Sequence, residues 1–277
     1  MQDTRQFEAI YPLGRSRAET ERLQQQSQFY NVFTRRLFED AGLGPGMKVL
    51  DVGCGAGDVS LLVAGLVGPR GSVVGVDLDA GVIETARRRS HEARLNHVSF
   101  VAGDINSVRL EHDFDAVVGR LVLMYFSEPA CTLRKVLRHL RVGGIVAFQE
   151  ADWTNKPLAL PESRCAGQIY NWMVGCFQKA GVEIQMGLKL KRVFLDAGLP
   201  EPQLRLEAPL GGGAAWEGYA YTENSIRSML PLLIRFNIAT ADEVDIDNLA
   251  ERLRAEVVNQ NGVVMLSPFV SAWAVKH

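Results

Sequence analysis

An acid, three alternating glycines and a second acid set out the chemistry of this chain. The run Val49-Leu-Asp-Val-Gly-Cys-Gly-Ala-Gly-Asp58 leads an apolar strand into Gly53, Gly55 and Gly57. A second apolar run, Ser72-Val-Val-Gly-Val-Asp77, ends in a carboxylate about 20 residues past the last glycine. Glycines suit a place where a bulky ligand touches backbone, and an acid one strand over suits a ribose diol. Together they describe a nucleoside pocket. A dinucleotide fingerprint spaces its glycines G-x-G-x-x-G. Here they alternate, and position 58 is Asp.

Such residues need strands and helices to position them. Residues 18–38 read as a helix, with Leu23, Phe29, Tyr30, Phe33 and Leu37 at helical spacing. Gly42, Gly44 and Gly46 then stop it. Strands follow at 48–52, 72–76, 98–101, 114–118 and 145–149, with helices at 58–66, 79–92 and 129–140 between them. Asp79 is the expected N-cap of the second of these helices. Short apolar strands alternating with helices imply a parallel sheet covered on both faces, doubly wound by right-handed crossovers. Gly53, Asp77, Asp104, Gly119 and Glu150 all fall at the carboxyl ends of these strands, where such a sheet binds its ligand.

Beyond Glu150 the texture changes. Residues 152–181 are rich in Trp, Tyr, Phe, Met and Cys, and 185–197 read as an amphipathic helix. Residues 204–208 are a sixth strand, 211–260 an aromatic insert ending in a helix at 245–259, and 262–275 a closing strand or hairpin edge. The expected organisation is an N-terminal helical cap over residues 1–45 and one domain over 46–277, with insertions at about 153–198 and 211–260.

Composition sets outer bounds. The chain has 277 residues, 47% hydrophobic and 22% charged, with a net charge of -2. No basic face is advertised, so neither nucleic acid nor a membrane surface is the expected partner. Arg87-Arg88-Arg89 reads as the solvated face of a helix. The four cysteines form no C-x-x-C pair and no His or Cys cluster has zinc spacing, so no metal is expected and a reducing, cytoplasmic setting fits. Cys54 reads as a small side chain filling a tight turn. The polar N-terminus is unlike a signal peptide, and no apolar run reaches membrane length. Self-association is left open.

The pattern D-x-G-x-G-x-G resembles motif I of the class I S-adenosylmethionine-dependent methyltransferases, with Asp51, Gly53, Gly55 and Gly57 in its positions. The resemblance is strong over 46–150 and holds only in outline beyond. It implies a Rossmann-like seven-stranded sheet of order 3-2-1-4-5-7-6, six strands parallel and one antiparallel. It implies S-adenosyl-L-methionine as cofactor, leaving S-adenosyl-L-homocysteine. Asp77 would then hold the ribose hydroxyls, and Leu78 would pack on the adenine. Asp104 would receive the exocyclic amine, and the Ile105 amide would meet a ring nitrogen. Gly119 would admit the methionine portion, with Arg120 facing a loop or the substrate. Tyr11-Pro-Leu-Gly14 and Glu21-Arg22-Leu23 followed by Gln26 resemble a small-molecule subgroup whose N-terminal helix closes over the cofactor, making Gln26 a donor to the methionine carboxylate.

On the substrate side, Glu150 and Asp152 lie just past the fifth strand, and Glu150 is the candidate general base. Tyr11, Tyr170, Trp216 and Tyr219 are candidates for the substrate pocket, where aromatic faces suit a cation. His139 reads as a helix C-terminal cation rather than a catalyst. The residues after the fourth strand, Gly119-Arg-Leu-Val122, depart from the motif of exocyclic-amine DNA methylases. The expected function is methyl transfer to the oxygen or carbon of a small, largely apolar metabolite, of the kind met in secondary metabolism. A non-catalytic S-adenosylmethionine-binding regulator, a nicotinamide-dependent oxidoreductase and an aminopropyl transferase are the alternatives.

Overall fold

Valine-rich runs favour extended backbone, and burial on both faces selects parallel pairing under helices. The computed structural model describes residues 17–154 and 158–277, with side chains from residue 29 onward. Its strands are β1 (Lys48–Val52), β2 (Ser72–Asp77), β3 (Val98–Ala102), β4 (Phe114–Arg120), β5 (Leu140–Ala151), β6 (Ala159–Leu160), β7 (Gln203–Glu207), β8 (Leu210–Gly211), β9 (Val263–Met265) and β10 (Phe269–Val275). The main sheet has the order β3-β2-β1-β4-β5-β10-β7. β10 runs antiparallel to both β5 and β7, and the other pairings are parallel. This is the expected 3-2-1-4-5-7-6 order. The higher labels arise from a small second sheet, β6-β9-β8, that sequence reading did not resolve.

The helices are α1 (Arg17–Ala41), α2 (Asp58–Val67), α3 (Ala80–Glu92), α4 (Pro129–Val136), α5 (Arg164–Lys179), α6 (Met186–Asp196), α7 (Gly218–Arg235), α8 (Ala241–Val244) and α9 (Leu249–Asn259). Alternation along β1 sorts them into two layers. Val49 joins Leu37 and Phe38 of α1 and Leu62 and Val63 of α2. Leu50 and Val52 face the opposite core with Leu133 of α4 and Phe194 of α6. Asp79 caps α3, accepting from Gly81 N at 2.7 Å and Val82 N at 3.0 Å. The aromatic stretch after Glu150 contains α5, whose first amides are satisfied from a distance: Glu256 of α9 accepts from Arg164 N and Cys165 N. The 211–260 stretch contains α7, α8 and α9. No helix among the described residues is long and apolar enough to cross a membrane.

The arginine triplet is a solvated face at two of its three positions. Arg89 reaches back to Asp58 at 2.7 Å and the Ala56 carbonyl at 2.6 Å, and Arg87 donates to the Phe100 carbonyl at 2.8 Å. Arg87 and Arg88 are exposed, pairing with Glu84 and Glu92 on the helix surface, while Arg89 is turned inward toward the glycine bend.

A buried polar chain fastens α1 to the sheet. Arg120 of β4 donates through Nη1 to Asn31 Oδ1 at 2.9 Å and Thr34 Oγ1 at 3.1 Å. Thr34 donates to Gln149 Oε1 of β5 at 2.7 Å, and Gln149 Nε2 donates to Ser271 Oγ of β10 at 2.9 Å. Thr34→Val keeps the shape and strands both neighbours without water. It is expected to lower unfolding stability by about 1–3 kcal/mol, read as a shift in the urea midpoint. An unchanged midpoint would show that the chain carries no stability.

Candidate active site

The carboxyl ends of β1, β2 and β4 form one cleft, and its floor is the glycine bend. Gly53, Gly55 and Gly57 all take left-handed backbone, at φ +67°, +52° and +88°, a region costly for residues with a Cβ. Their surroundings differ. A Cβ on Gly53 would stand 2.3 Å from Val122 Cγ2, and one on Gly57 would stand 3.2 Å from both Ala86 and the Phe100 ring. A Cβ on Gly55 would meet nothing within 4 Å. Gly55 alone leaves its backbone open to a ligand, and the other two let the bend pack.

Asp77 organises the bend. One carboxylate oxygen accepts from Gly55 N at 2.9 Å and the other from Asp79 N at 3.0 Å. A carboxylate has about four acceptor positions, so two hydroxyls can still be received. Leu78 follows Asp77 and is exposed. Across the cleft Asp104 is exposed and Ile105 is buried. Asp104 Oδ1 closes a local turn by accepting from Asn106 N at 2.9 Å and Nδ2 at 3.0 Å.

Asp51 lies behind the bend. It is buried, its Oδ2 accepts from Ser60 Oγ at 2.6 Å, and its Oδ1 has no partner among the described residues. Burial pushes its carboxyl up to about 7, against the pull of Ser60 and Arg120. Arg120 is itself buried, which lowers its pKa, while Asp58 and Asp51 act in the opposite direction. Cys54 fills the turn as expected, its thiol raised well above the ordinary value by burial. His139 sits beyond α4, its ring stacked on His112 at 5.0 Å and away from the cleft residues.

The residues that follow β4, Leu121, Met124 and Tyr125, help to line an aromatic cavity. Its wall includes Tyr30 from α1, Trp153 after β5, Tyr170 and Phe177 from α5, Tyr221 from α7 and Phe269 from β10. Tyr30 stacks on Phe269 at 3.8 Å, and Tyr170 donates its hydroxyl to the Trp153 carbonyl at 2.7 Å. A lining this apolar, with a few hydroxyls among the rings, suits a largely apolar ligand.

Several expectations change here. Glu150 is wholly buried and is not on the cavity wall. Its Oε1 accepts from Val122 N at 3.0 Å and Leu123 N at 2.8 Å. Burial raises its carboxyl to about 7, opposed by these amides. Its Oε2 is buried without a partner among the described residues, and no atom of Glu150 lines the cavity where an acceptor would sit. Gly119 is glycine for packing, since a Cβ there would lie 2.5 Å from the Phe148 ring. Trp216 and Tyr219 stand behind the wall, edge to face at 5.1 Å. Trp216 fills the space over Gly211 and Gly218, and the buried Tyr219 hydroxyl has no partner among the described residues. Asp152 caps α6, accepting from Leu188 N at 3.0 Å. Tyr11 lies outside the described residues, and so does the side chain of Gln26, whose backbone belongs to α1.

Sequence reading missed Tyr30, Trp153, Phe177, Tyr221 and Phe269 as cavity wall. Tyr30 already stood out on the apolar stripe of α1, but a stripe does not say which of its members meets a cavity.

The glycine bend with Asp77 beside it, at the carboxyl edge of this sheet, has the form of a nucleoside cleft in a doubly wound protein. A methyltransferase-domain family model matches residues 43–198. The chain is 28% identical over 217 residues to the demethylmenaquinone methyltransferase of Staphylococcus aureus, covering 71% of this chain and 85% of that protein. It is 33% identical over 159 residues to an uncharacterized 37.1 kDa protein in transposon TN4556 of Streptomyces fradiae, covering 57% of this chain and 45% of that one. In fold it resembles geranyl diphosphate C-methyltransferase of Streptomyces coelicolor A3(2), solved with Mg2+, geranyl diphosphate and S-adenosyl-L-homocysteine, at a TM-score of 0.54 and 17% identity over 97% of this chain and 88% of that one. The chain belongs to the methyltransferase-domain family and is an S-adenosylmethionine-dependent methyltransferase. The bend fits that cofactor: open backbone at Gly55, spare acceptor capacity on Asp77 and an orphaned oxygen on Asp51.

The raised carboxyls fix a pH dependence. Between their ordinary values and about 7, Asp51 and Glu150 hold protons in the folded protein that the unfolded chain has released. Their contribution to stability is therefore fully present at the acid end, falls as pH rises through that window, and levels off above it. Asp51→Asn removes its share of the slope. Urea midpoints at pH 5, 6 and 7 should fall less steeply for the variant than for the parent. Parallel curves would mean that Asp51 titrates normally.

Proposed function

We propose that this enzyme methylates a carbon or oxygen of a small, largely apolar metabolite bound in the aromatic cavity. The observation that carries the reading is the cavity itself, opening beside the glycine bend with Tyr30, Trp153 and Phe269 in its wall. The names of two similar proteins agree with it, since demethylmenaquinone and geranyl diphosphate both carry extended hydrocarbon. The four free cysteines fit action in a reducing compartment such as the cytoplasm.

In this reading Asp77 holds the ribose hydroxyls through its two unused acceptor positions. Leu78 packs on the adenine, the Ile105 amide meets a ring nitrogen, and Asp104 takes the exocyclic amine through Oδ2. Gly55 brings backbone to the ligand, and Gly53 and Gly57 hold the bend that presents it. Asp51 and Arg120 supply the opposite charges that the amino-acid end requires, with Gln26 as a further donor. Tyr11 and Tyr170 contribute to the acceptor side.

S-adenosylmethionine supplies an electrophilic methyl that needs no further activation. What the chain supplies is position, dryness and charge. Holding an acceptor in line contributes about 7–11 kcal/mol. Ring faces such as Tyr30 and Tyr221 favour positive charge in the cavity by about 0.5–2 kcal/mol each. With no carboxylate or imidazole among the described residues of the cavity wall, a proton given up by the acceptor passes to solvent at the cavity mouth.

Two tests follow. Asp77→Ala removes one bond to the bend, one to the start of α3 and both ribose contacts, and should weaken S-adenosylhomocysteine binding by at least about 1.5–3 kcal/mol in titration calorimetry. Unchanged affinity would take Asp77 out of the site. For the acceptor, methyl-labelled cofactor is incubated with a reduced naphthoquinone, geraniol and phosphoethanolamine. Label should pass to one of the two neutral apolar acceptors and not to phosphoethanolamine. Transfer only to the charged acceptor would refute the apolar reading.

A further inference from the structure

One buried carboxylate joins the two halves of the site. Residues 121–125 leave β4 in a tight turn with Leu121 at φ +55°, a left-handed conformation that a non-glycine keeps only when its surroundings hold it. Two groups of β5 do so. The Gln149 carbonyl accepts from Leu121 N at 2.9 Å, and Glu150 Oε1 accepts from Val122 N and Leu123 N. On one side the turn presses Val122 against the bend, its Cγ2 2.3 Å from where a Gly53 Cβ would be. On the other it gives Leu121, Met124 and Tyr125 to the cavity wall.

Resting on the reading that this cavity holds the acceptor, we propose that Glu150 is a positioning residue: by anchoring the 121–125 turn it fixes the cavity at a set offset from the cofactor bend. The bend has anchors of its own, Gly53 N to the Val76 carbonyl at 2.8 Å and Gly55 N to Asp77 at 2.9 Å. Loosening the turn therefore moves the cavity wall and leaves the bend in place. Offset matters here because a misplacement of about 1 Å costs on the order of 10²-fold in a transfer reaction.

Two substitutions separate reach from charge. Glu150→Asp keeps the charge and loses the length needed to meet both amides. Glu150→Gln loses the charge and keeps an accepting oxygen at full length. Binding of 2-naphthol is followed by its fluorescence, S-adenosylhomocysteine by calorimetry, and the 121–125 amides by hydrogen exchange and mass spectrometry. E150D should bind 2-naphthol about tenfold more weakly and exchange faster at 121–125, with S-adenosylhomocysteine affinity within about threefold of the parent. E150Q should match the parent in all three, although its buried amide lowers the melting temperature. A purely structural role would lower stability in both variants and leave both affinities untouched. The proposal is overturned if E150Q loses 2-naphthol as E150D does, or if E150D behaves as the parent. Should E150D fail to fold, E150Q decides alone: retention supports the anchor and loss overturns it. Should the parent itself not bind 2-naphthol, the apolar-acceptor reading fails, and the exchange pattern of the two variants still judges Glu150.

Discussion

The contact between Gly53 and Val122 is the constraint on which the site depends. β1 and β4 are neighbours in the sheet, and each ends in a sharp turn at its carboxyl edge. The two turns press together so closely that one must lack a side chain. That closeness brings a nucleoside floor and an acceptor cavity to either side of a single valine. Any side chain at residue 53 would either part the turns or push Val122 into the cavity, since packed interiors yield little.

The polar groups around this contact are spent on backbone geometry before any ligand arrives. Asp77 fixes the bend and the start of α3, Glu150 fixes the 121–125 turn, and Arg120 ties α1 to the sheet through Thr34. Burying carboxylates this way is costly, and the raised values of Asp51 and Glu150 record that cost. In exchange the cleft is organised in advance, which is what in-line transfer requires.

The sheet was readable from sequence because it depends on local pattern: five valine-rich runs between glycine-bounded helices already give β1 to β5. Asp77 and the glycine bend were readable for the same reason, since strand ends place them. The cavity was not. Tyr30, Trp153, Tyr221 and Phe269 come from four elements spread over about 240 residues, and an aromatic residue carries no local mark that separates cavity wall from core. Trp216 and Tyr219 show the converse, aromatic by type yet used as packing. Glu150 was correctly seen at the end of β5 but given a chemical role. What decides its role is a pair of amides 27 and 28 residues away in the chain, and no spacing rule shows them. The small β6-β9-β8 sheet escaped because two-residue strands carry no periodicity.

The account stands on the bend at residues 53–57 receiving an adenosyl amino acid whose sulfur looks past Val122 into the aromatic cavity. A crystal structure with S-adenosylhomocysteine at saturation tests this most directly. The account predicts density for the adenosine against Gly55, with the adenine on Leu78 and its edge at the Ile105 amide, and the sulfur facing the mouth beside Leu121. Density elsewhere, or a sulfur turned away from that mouth, would contradict it.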